Sequence, residues 1–96
     1  MFVLVVKLRA AKGKEKALEQ LLMKAREKVN EEEENTLIYD IHRKIGDSAE
    51  IMLYEQYNDK MDWESTHMSK PYIKELLADL PNYIDGSETI EEYELV

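Results

Sequence analysis

The chain has no cysteine, only two prolines and three glycines, and a single tryptophan and phenylalanine. The absence of cysteine excludes disulfides, thiolate metal sites, iron–sulfur clusters and a cysteine nucleophile. No apolar run approaches the ~18 residues of a membrane-spanning helix, so we expect no membrane partner. The apolar start from Phe2 to Val6 leads into Lys7 without the features of an export signal. We therefore expect a cytoplasmic protein whose chemistry uses histidine, tyrosine or carboxylate groups.

Acidic groups outnumber basic ones, with 21 Asp and Glu against 13 Lys and Arg and a formal charge of −8. Such a surface repels phosphate backbones, and no basic patch is interleaved with aromatic residues, so we expect no nucleic-acid partner. The 96 residues, 44% of them hydrophobic, fit one domain, 1–96, with one core. The run from Glu31 to Glu34 is predicted to be the solvated end of a helix.

Apolar spacing along the chain predicts the order βαββαβ. The predicted elements are strands 2–10, 36–45, 49–57 and 88–96, a helix 14–33, and helical pieces around Trp63 and after Pro71. This order is that of a ferredoxin-like fold of the α+β class: a four-stranded antiparallel sheet with both helices on one face.

The two central strands, separated by Gly46-Asp47-Ser48, are predicted to form a hairpin in which Ile45 pairs with Ala49 and Tyr39 lies opposite Glu55. One face then carries the odd-numbered residues Leu37, Tyr39, Ile41, Ile45, Ile51, Leu53 and Tyr57. The other face presents Met52 and Tyr54, which no helix of this chain is expected to cover. We therefore expect a homodimer that packs through this sheet face.

Three side chains are candidates for a site on the helix-covered face. Glu55 shares that face with Leu53 and Tyr57, where an unpaired carboxylate costs several kcal/mol. It is either a polar group of a substrate pocket or a structural carboxylate satisfied by neighbours such as Tyr39. His67, one helical turn after Trp63, is either a base or donor in an apolar pocket or a half-exposed histidine beside a core tryptophan.

Other chemistries lack a motif in this sequence. His42 is predicted on the sheet face opposite to His67, and no HxxH, HExxH or EF-hand spacing occurs, so we expect no metal site. There is also no GxGxxG, Walker loop or GxSxG, which removes the usual signatures of nucleotide and flavin binding and of serine hydrolases.

Three segments resemble the antibiotic biosynthesis monooxygenase family. They are Tyr39 to Arg43 (YDIHR), Leu53 to Asp59 (LYEQYND) and His67 to Tyr72 (HMSKPY). With the opening strand and helix, the resemblance extends over nearly the whole chain. It implies a dimeric ferredoxin-like α+β barrel with a pocket between sheet and helices in each subunit.

The resemblance also implies a chemistry: oxidation of small aromatic or quinol-type molecules by O₂ without a metal or flavin, so that no cofactor is expected. The family's histidine falls on His67 and its third-strand glutamate on Glu55, whereas Tyr72 replaces a second histidine that often follows Ser/Thr-Pro. A haem-degrading relative is disfavoured because Lys74 stands where that branch has its haem-ligating histidine. The resulting candidates are His67 and Tyr72 as catalytic residues, and Trp63, Glu55, Tyr39, Leu53 and Tyr57 as substrate-binding residues.

Our leading hypothesis is thus a cofactor-independent monooxygenase acting on a small aromatic or quinol-type molecule with O₂. Two alternatives use the same pocket. The chain could be a non-catalytic, dimeric small-ligand-binding or stress-associated module, or an isomerase that needs acid–base chemistry only.

Overall fold

A computed structural model describes residues 1–96, and its elements follow the predicted order. The four strands form one antiparallel sheet of order β2-β3-β1-β4. A ferredoxin-like α+β fold, with the helices packed against the sheet, is thereby confirmed. The elements are β1 Phe2–Arg9, α1 Glu15–Glu32, β2 Thr36–Lys44, β3 Asp47–Tyr57, a π-helical turn Asp62–Thr66, a 3₁₀ turn His67–Ser69, α2 Pro71–Asp79 and β4 Thr89–Glu94.

The core lies between the two helices and the inner face of the sheet. The buried positions of α1 follow one helical stripe, which is the reason that this segment folds as an amphipathic helix against the sheet. The central strands β1 and β3 supply the opposing wall. The core side chains include Leu18, Leu22, Ala25 and Val29 of α1, Leu8 of β1, Ile51 and Leu53 of β3, and Ile73 and Leu76 of α2.

The hairpin register agrees with the prediction in its middle but differs at its turn. Tyr39 lies opposite Glu55 as expected. However, Lys44 pairs with Asp47, so the connection is a two-residue turn and β3 begins two residues earlier than predicted. Gly46 in this turn has φ +85°, a left-handed conformation that glycine adopts without strain.

Two residues that were assigned to the core face of the hairpin are exposed, and those assignments were wrong. Ile45 sits in the turn and is 99% exposed, because the register shifts between Arg43 and Lys44. Leu37 is 42% exposed, because a second irregularity at the start of β2 turns its side chain away from the core. A bulge adds a residue to one strand, and strict alternation of the two faces fails there.

The outer face of the sheet is not covered by any element of the chain. It carries the half-buried side chains of Val5, Ile38, Met52 and Tyr54. His42 lies on this face as well, exposed, with its Nδ1 atom 3.3 Å from the carbonyl oxygen of Met52. None of the helices is both long and apolar enough to cross a membrane.

Two isoleucines of the hairpin provide a matched test of the core. Ile51 is fully buried, whereas Ile45 is almost fully exposed. We expect Ile51→Ala to lower the free energy of unfolding by about 2–5 kcal/mol, because the substitution leaves a cavity. Ile45→Ala should change it by less than about 0.5 kcal/mol. Urea denaturation at equal protein concentration measures both, and equal losses would contradict this description of the core.

Candidate functional site

The segment after β3 brings Trp63 and His67 over the inner face of the sheet. Asp59 caps its start, since Asp59 Oδ1 accepts the Asp62 N–H at 3.0 Å. The next turn is π-helical, and the backbone N–H of His67 donates to the carbonyl groups of both Asp62 and Trp63. Such wide turns are frequent at functional sites because they redirect the side chains that follow.

A cavity of about 170 Å³ lies beneath this turn, between the sheet and α2. Its wall is mostly apolar, with contributions from β1, β3, α1 and α2. The polar groups of His67 and Glu55 face each other across one part of it. The residues of the lining include Leu4, Val6, Leu22, Tyr39, Leu53, Glu55, Trp63, His67, Met68, Ile73, Leu76, Leu77, Leu80, Glu88 and Ile90.

The imidazole of His67 is held by Glu33, the residue that ends α1. His67 is 3% exposed, and its Nδ1 atom lies 2.7 Å from Glu33 Oε1. The same carboxylate accepts hydrogen bonds from the hydroxyl groups of Thr36, at 2.6 Å, and Tyr72. Burial acts to raise the pKa of Glu33, but these hydrogen bonds outweigh it and hold the pKa below its usual value. Glu33 is therefore ionised, and Nδ1 of His67 is the nitrogen that donates to it.

The prediction that the acidic run is a solvated helix end was wrong for Glu33. Its side chain is 2% exposed, whereas its neighbours Glu32 and Glu34 point to solvent. Glu33 follows Val29 by four residues, and its backbone N–H donates to the Val29 carbonyl at 2.9 Å. It thus continues the buried stripe of α1, and this spacing was the signal that could have singled it out.

Glu55 is the second buried carboxylate, 4% exposed on β3. Its one side-chain hydrogen bond comes from the Tyr57 hydroxyl, which donates to Oε1 at 2.6 Å. Nε2 of His67 is 3.9 Å from the same oxygen, beyond hydrogen-bond distance. Burial raises the pKa of Glu55. The pKa values of Tyr57 and Tyr39 are also raised, by burial first and then by the Glu55 charge.

Aromatic rings fix the orientation of the imidazole. The rings of Tyr39 and Tyr57 each lie 5.5 Å from the His67 ring, centroid to centroid. Trp63 stacks on Phe2 of β1 with centroids 5.5 Å apart, which anchors the π-helical turn to the sheet. The imidazole consequently has little freedom to rotate. Its Nδ1 atom stays bonded to Glu33, and its Nε2 atom stays without a partner in the protein.

Two polar atoms of the site have no partner within the protein, namely His67 Nε2 and Glu55 Oε2. No fully buried polar side-chain atom of the chain lacks a hydrogen bond. Both atoms must therefore retain accessible surface, and the cavity that His67 and Glu55 line provides it. A few convergent polar groups in an apolar pocket are the usual form of a small-molecule site.

The structure groups the candidate residues into two layers. Tyr39, Leu53, Glu55, Trp63 and His67 line the cavity. The other two candidates lie behind the carboxylates: the Tyr57 hydroxyl on Glu55 and the Tyr72 hydroxyl on Glu33. Their part in any reaction stays a prediction. No group of three or more histidine or acidic side chains is arranged to hold a metal ion.

Comparison with known proteins identifies the family. Residues 1–79 match the model of the antibiotic biosynthesis monooxygenase family, and the chain therefore belongs to it. No curated protein matches the chain by sequence. Its fold is similar to that of solved structures of low sequence identity, as the following three show.

An antibiotic biosynthesis monooxygenase superposes with a TM-score of 0.89 at 16% identity, over 100% of this chain and 99% of that one. A proposed antibiotic biosynthesis monooxygenase from Nitrosomonas europaea gives a TM-score of 0.92 at 18% identity, over 100% and 99% of the two chains. A protein from Pseudomonas aeruginosa gives 0.85 at 25% identity, over 99% and 94%. The fold is thus that of the family, along the whole chain.

The contribution of Glu33 to stability has a predictable pH dependence. Its lowered pKa means that ionisation stabilises the fold above the ordinary glutamate pKa, about 4.3, and that this gain is lost as the pH falls through the folded-state pKa. We expect Glu33→Gln to cost about 1–3 kcal/mol at neutral pH and progressively less in acid. Thermal or urea unfolding across pH measures the difference, with Glu34→Gln as the exposed control. A loss that is the same at every pH would contradict the assignment.

Proposed function

We propose that the chain is a monooxygenase that oxidises a single-ring phenol or quinol with O₂ and needs no cofactor. The observation that carries the proposal is the apolar cavity into which Nε2 of a carboxylate-bound histidine opens. Family membership adds support for a monooxygenase, because that activity is part of the family's name. In this scheme the electrons come from the substrate, so the protein has to remove a proton, stabilise an anion and exclude water.

The proton step uses the two nitrogens of His67 for different tasks. Nδ1–H donates to Glu33, which leaves the Nε2 lone pair directed to the cavity. Nε2 accepts the phenolic proton, so that the substrate O–H bond breaks and an N–H bond forms. The ionised Glu33 stabilises the resulting imidazolium, a role like that of the aspartate beside the histidine of serine proteases. Tyr72 acts through Glu33 as a positioning residue.

The oxidation step then balances without a further reductant. The phenolate passes one electron to O₂, and the radical and superoxide combine at a ring carbon that carries hydrogen. Loss of water from the hydroperoxide takes that hydrogen and the outer oxygen, and it leaves a carbonyl group. One oxygen atom enters the product and one leaves as water, with His67 returning the proton that it accepted.

The size of the cavity limits the substrate class. Its volume is about 170 Å³. An engineered apolar cavity of ~150 Å³ in another protein stays dry and binds benzene. The space in this chain therefore fits one aromatic ring with small substituents, which favours monocyclic phenols and quinols over fused-ring compounds.

The catalytic role of His67 can be tested by oxygen uptake with a panel of monocyclic quinols. His67→Gln should lower the rate by about 100-fold or more, because the general base is lost. His42→Gln, a change of the chain's other histidine on the opposite sheet face, is the matched control and should keep the rate.

Two results would contradict the proposal in different ways. An unchanged rate in His67→Gln would remove His67 from the mechanism. Absence of turnover by the unmodified protein with every quinol would leave the ligand-binding module or the isomerase as the function of this pocket. Product detection under nitrogen then separates these two, since isomerisation needs no O₂.

We also propose, in agreement with the sequence analysis, that two copies pack sheet to sheet through the uncovered outer face, as a cytoplasmic homodimer. The apolar side chains Met52 and Tyr54 on this face are only half buried within one chain. The face also carries Lys7 of β1 and, opposite Val5, Glu91 of β4, so a two-fold axis can bring opposite charges together. Contiguous apolar surface with a polar rim is typical of such interfaces.

Sedimentation tests this dimer. Met52→Asp and Tyr54→Asp place a charge in the apolar part of the face, and we expect each to shift the protein to monomers. Met23→Asp, on the exposed side of α1, is the matched control and should leave the dimer intact. Persistence of the dimer in both outer-face variants would show that the interface lies elsewhere.

A further inference from the structure

Glu55 has no function in the scheme above, although it is one of only two carboxylates enclosed at the site. It lines the cavity beside His67, and its Oε2 atom has no hydrogen-bond partner within the protein but is not fully buried. Its position on the central strand β3, paired with both β1 and β2, holds the backbone rigidly. The side chain is fixed in turn by the Tyr57 hydroxyl on Oε1.

The charges around Glu55 leave it without a counter-ion. The titratable groups that face it are Tyr57 on its own strand, Tyr39 on β2, His67 in the 3₁₀ turn and Glu33 at the end of α1. No lysine or arginine forms an ion pair with it. His67 is the one group able to carry positive charge, and it is bonded to Glu33 at 2.7 Å while lying 3.9 Å from Glu55. A single imidazole cannot neutralise two buried carboxylates.

An unpaired buried carboxylate is avoided in proteins by protonation. Oε1 accepts from Tyr57 and lies 3.9 Å from Nε2 of His67, so the proton belongs on Oε2, the carboxyl oxygen that has no partner within the protein. The site then presents one hydrogen-bond donor, Oε2–H of Glu55, and one acceptor, Nε2 of His67, on two side chains that line the same cavity. A phenolic hydroxyl, which donates through its hydrogen and accepts through its oxygen, satisfies both atoms with a single oxygen.

We propose that Glu55 is a neutral carboxylic acid that donates a hydrogen bond from Oε2 to the oxygen of a bound phenol, while His67 Nε2 accepts the proton of that oxygen. Once the proton is on Nε2, the phenolate oxygen receives two hydrogen bonds, one from the imidazolium and one from Glu55. The arrangement selects ligands with a hydroxyl on one ring and rejects carboxylates, whose charge the neutral acid and the apolar wall do not offset. This inference extends the proposed function by naming its anion-stabilising residue.

Binding of 4-nitrophenol under nitrogen tests the inference without any turnover, because absorbance distinguishes the bound phenol from the bound phenolate. The unmodified protein should bind it and ionise it at a lower pH than free solution does. Glu55→Gln keeps an N–H donor in place and should change phenolate affinity by only a few-fold. Glu55→Ala removes the donor and should weaken it about tenfold or more. Glu27→Gln, on the exposed side of α1, is the charge-matched control.

Three outcomes would overturn the donor role. Tighter phenolate binding in both Glu55 variants would mean that an ionised carboxylate had been removed. A phenolate affinity in both variants equal to that of the unmodified protein would mean that Glu55 does not touch the ligand. The same loss of affinity in both variants would mean that a hydrogen-bond donor at this position is not sufficient. Failure to bind 4-nitrophenol at all would also reject the inference.

Infrared difference spectra provide a test that does not depend on ligand binding. At neutral pH, the spectrum of the unmodified protein minus that of Glu55→Gln should contain the carbonyl stretch of a protonated carboxylic acid. Carboxylate bands alone would overturn the inference. If the phenol binds as expected but no quinol consumes O₂, the inference about Glu55 stands and the monooxygenase proposal fails, so the two failures are distinguishable.

Discussion

The hydrogen bond between Glu33 and His67 is the interaction on which the site depends. It joins the end of α1 to the turn after β3, across 34 positions of sequence, in a place from which water is excluded. Removing either partner would leave the other buried without its hydrogen bond. This loss costs far more than replacing both partners by apolar side chains of similar volume. The two segments therefore position each other. Together with the stacking of Trp63 on Phe2, this contact holds the turn above the sheet, over the cavity.

The pKa values of the two buried carboxylates beside the His67 imidazole are shifted in opposite directions. Glu33 collects hydrogen bonds from three side chains, and its pKa falls, whereas Glu55 has one donor, and its pKa rises. Proteins assign acid and base roles at neutral pH by placing neighbouring titratable groups in surroundings that shift their pKa values apart. In this chain the asymmetry arises from the fold. Glu33 lies where α1, β2 and α2 converge, and Glu55 lies on an apolar strand.

Local patterns in the sequence were sufficient for the parts of the fold that depend on alternation and helical period. The parity of β3 placed Glu55 opposite Tyr39 and on the inner face, and the spacing of Trp63 and His67 placed both over the cavity. The exposure of Ile45, which lies in the turn, and of Leu37, at an irregularity of β2, was not predicted, because such shifts of register leave no clear sequence mark. Glu33 escaped prediction because its partners lie far away in sequence, and a run of four glutamates at a helix end is usually solvated.

The strand order also determines how a ligand reaches the polar atoms. β4 is an edge strand that pairs only with β1, and no helix packs on its inner side. Exposed Ile90 of β4 and exposed Leu77 of α2 consequently form the open side of the cavity, whereas His67 and Glu55 lie at its enclosed end. A ring that enters past these apolar residues reaches hydrogen-bonding partners only at the far end. An amphipathic aromatic molecule thus gains most when its hydroxyl group leads, which is the orientation that the proposed proton transfer to Nε2 requires.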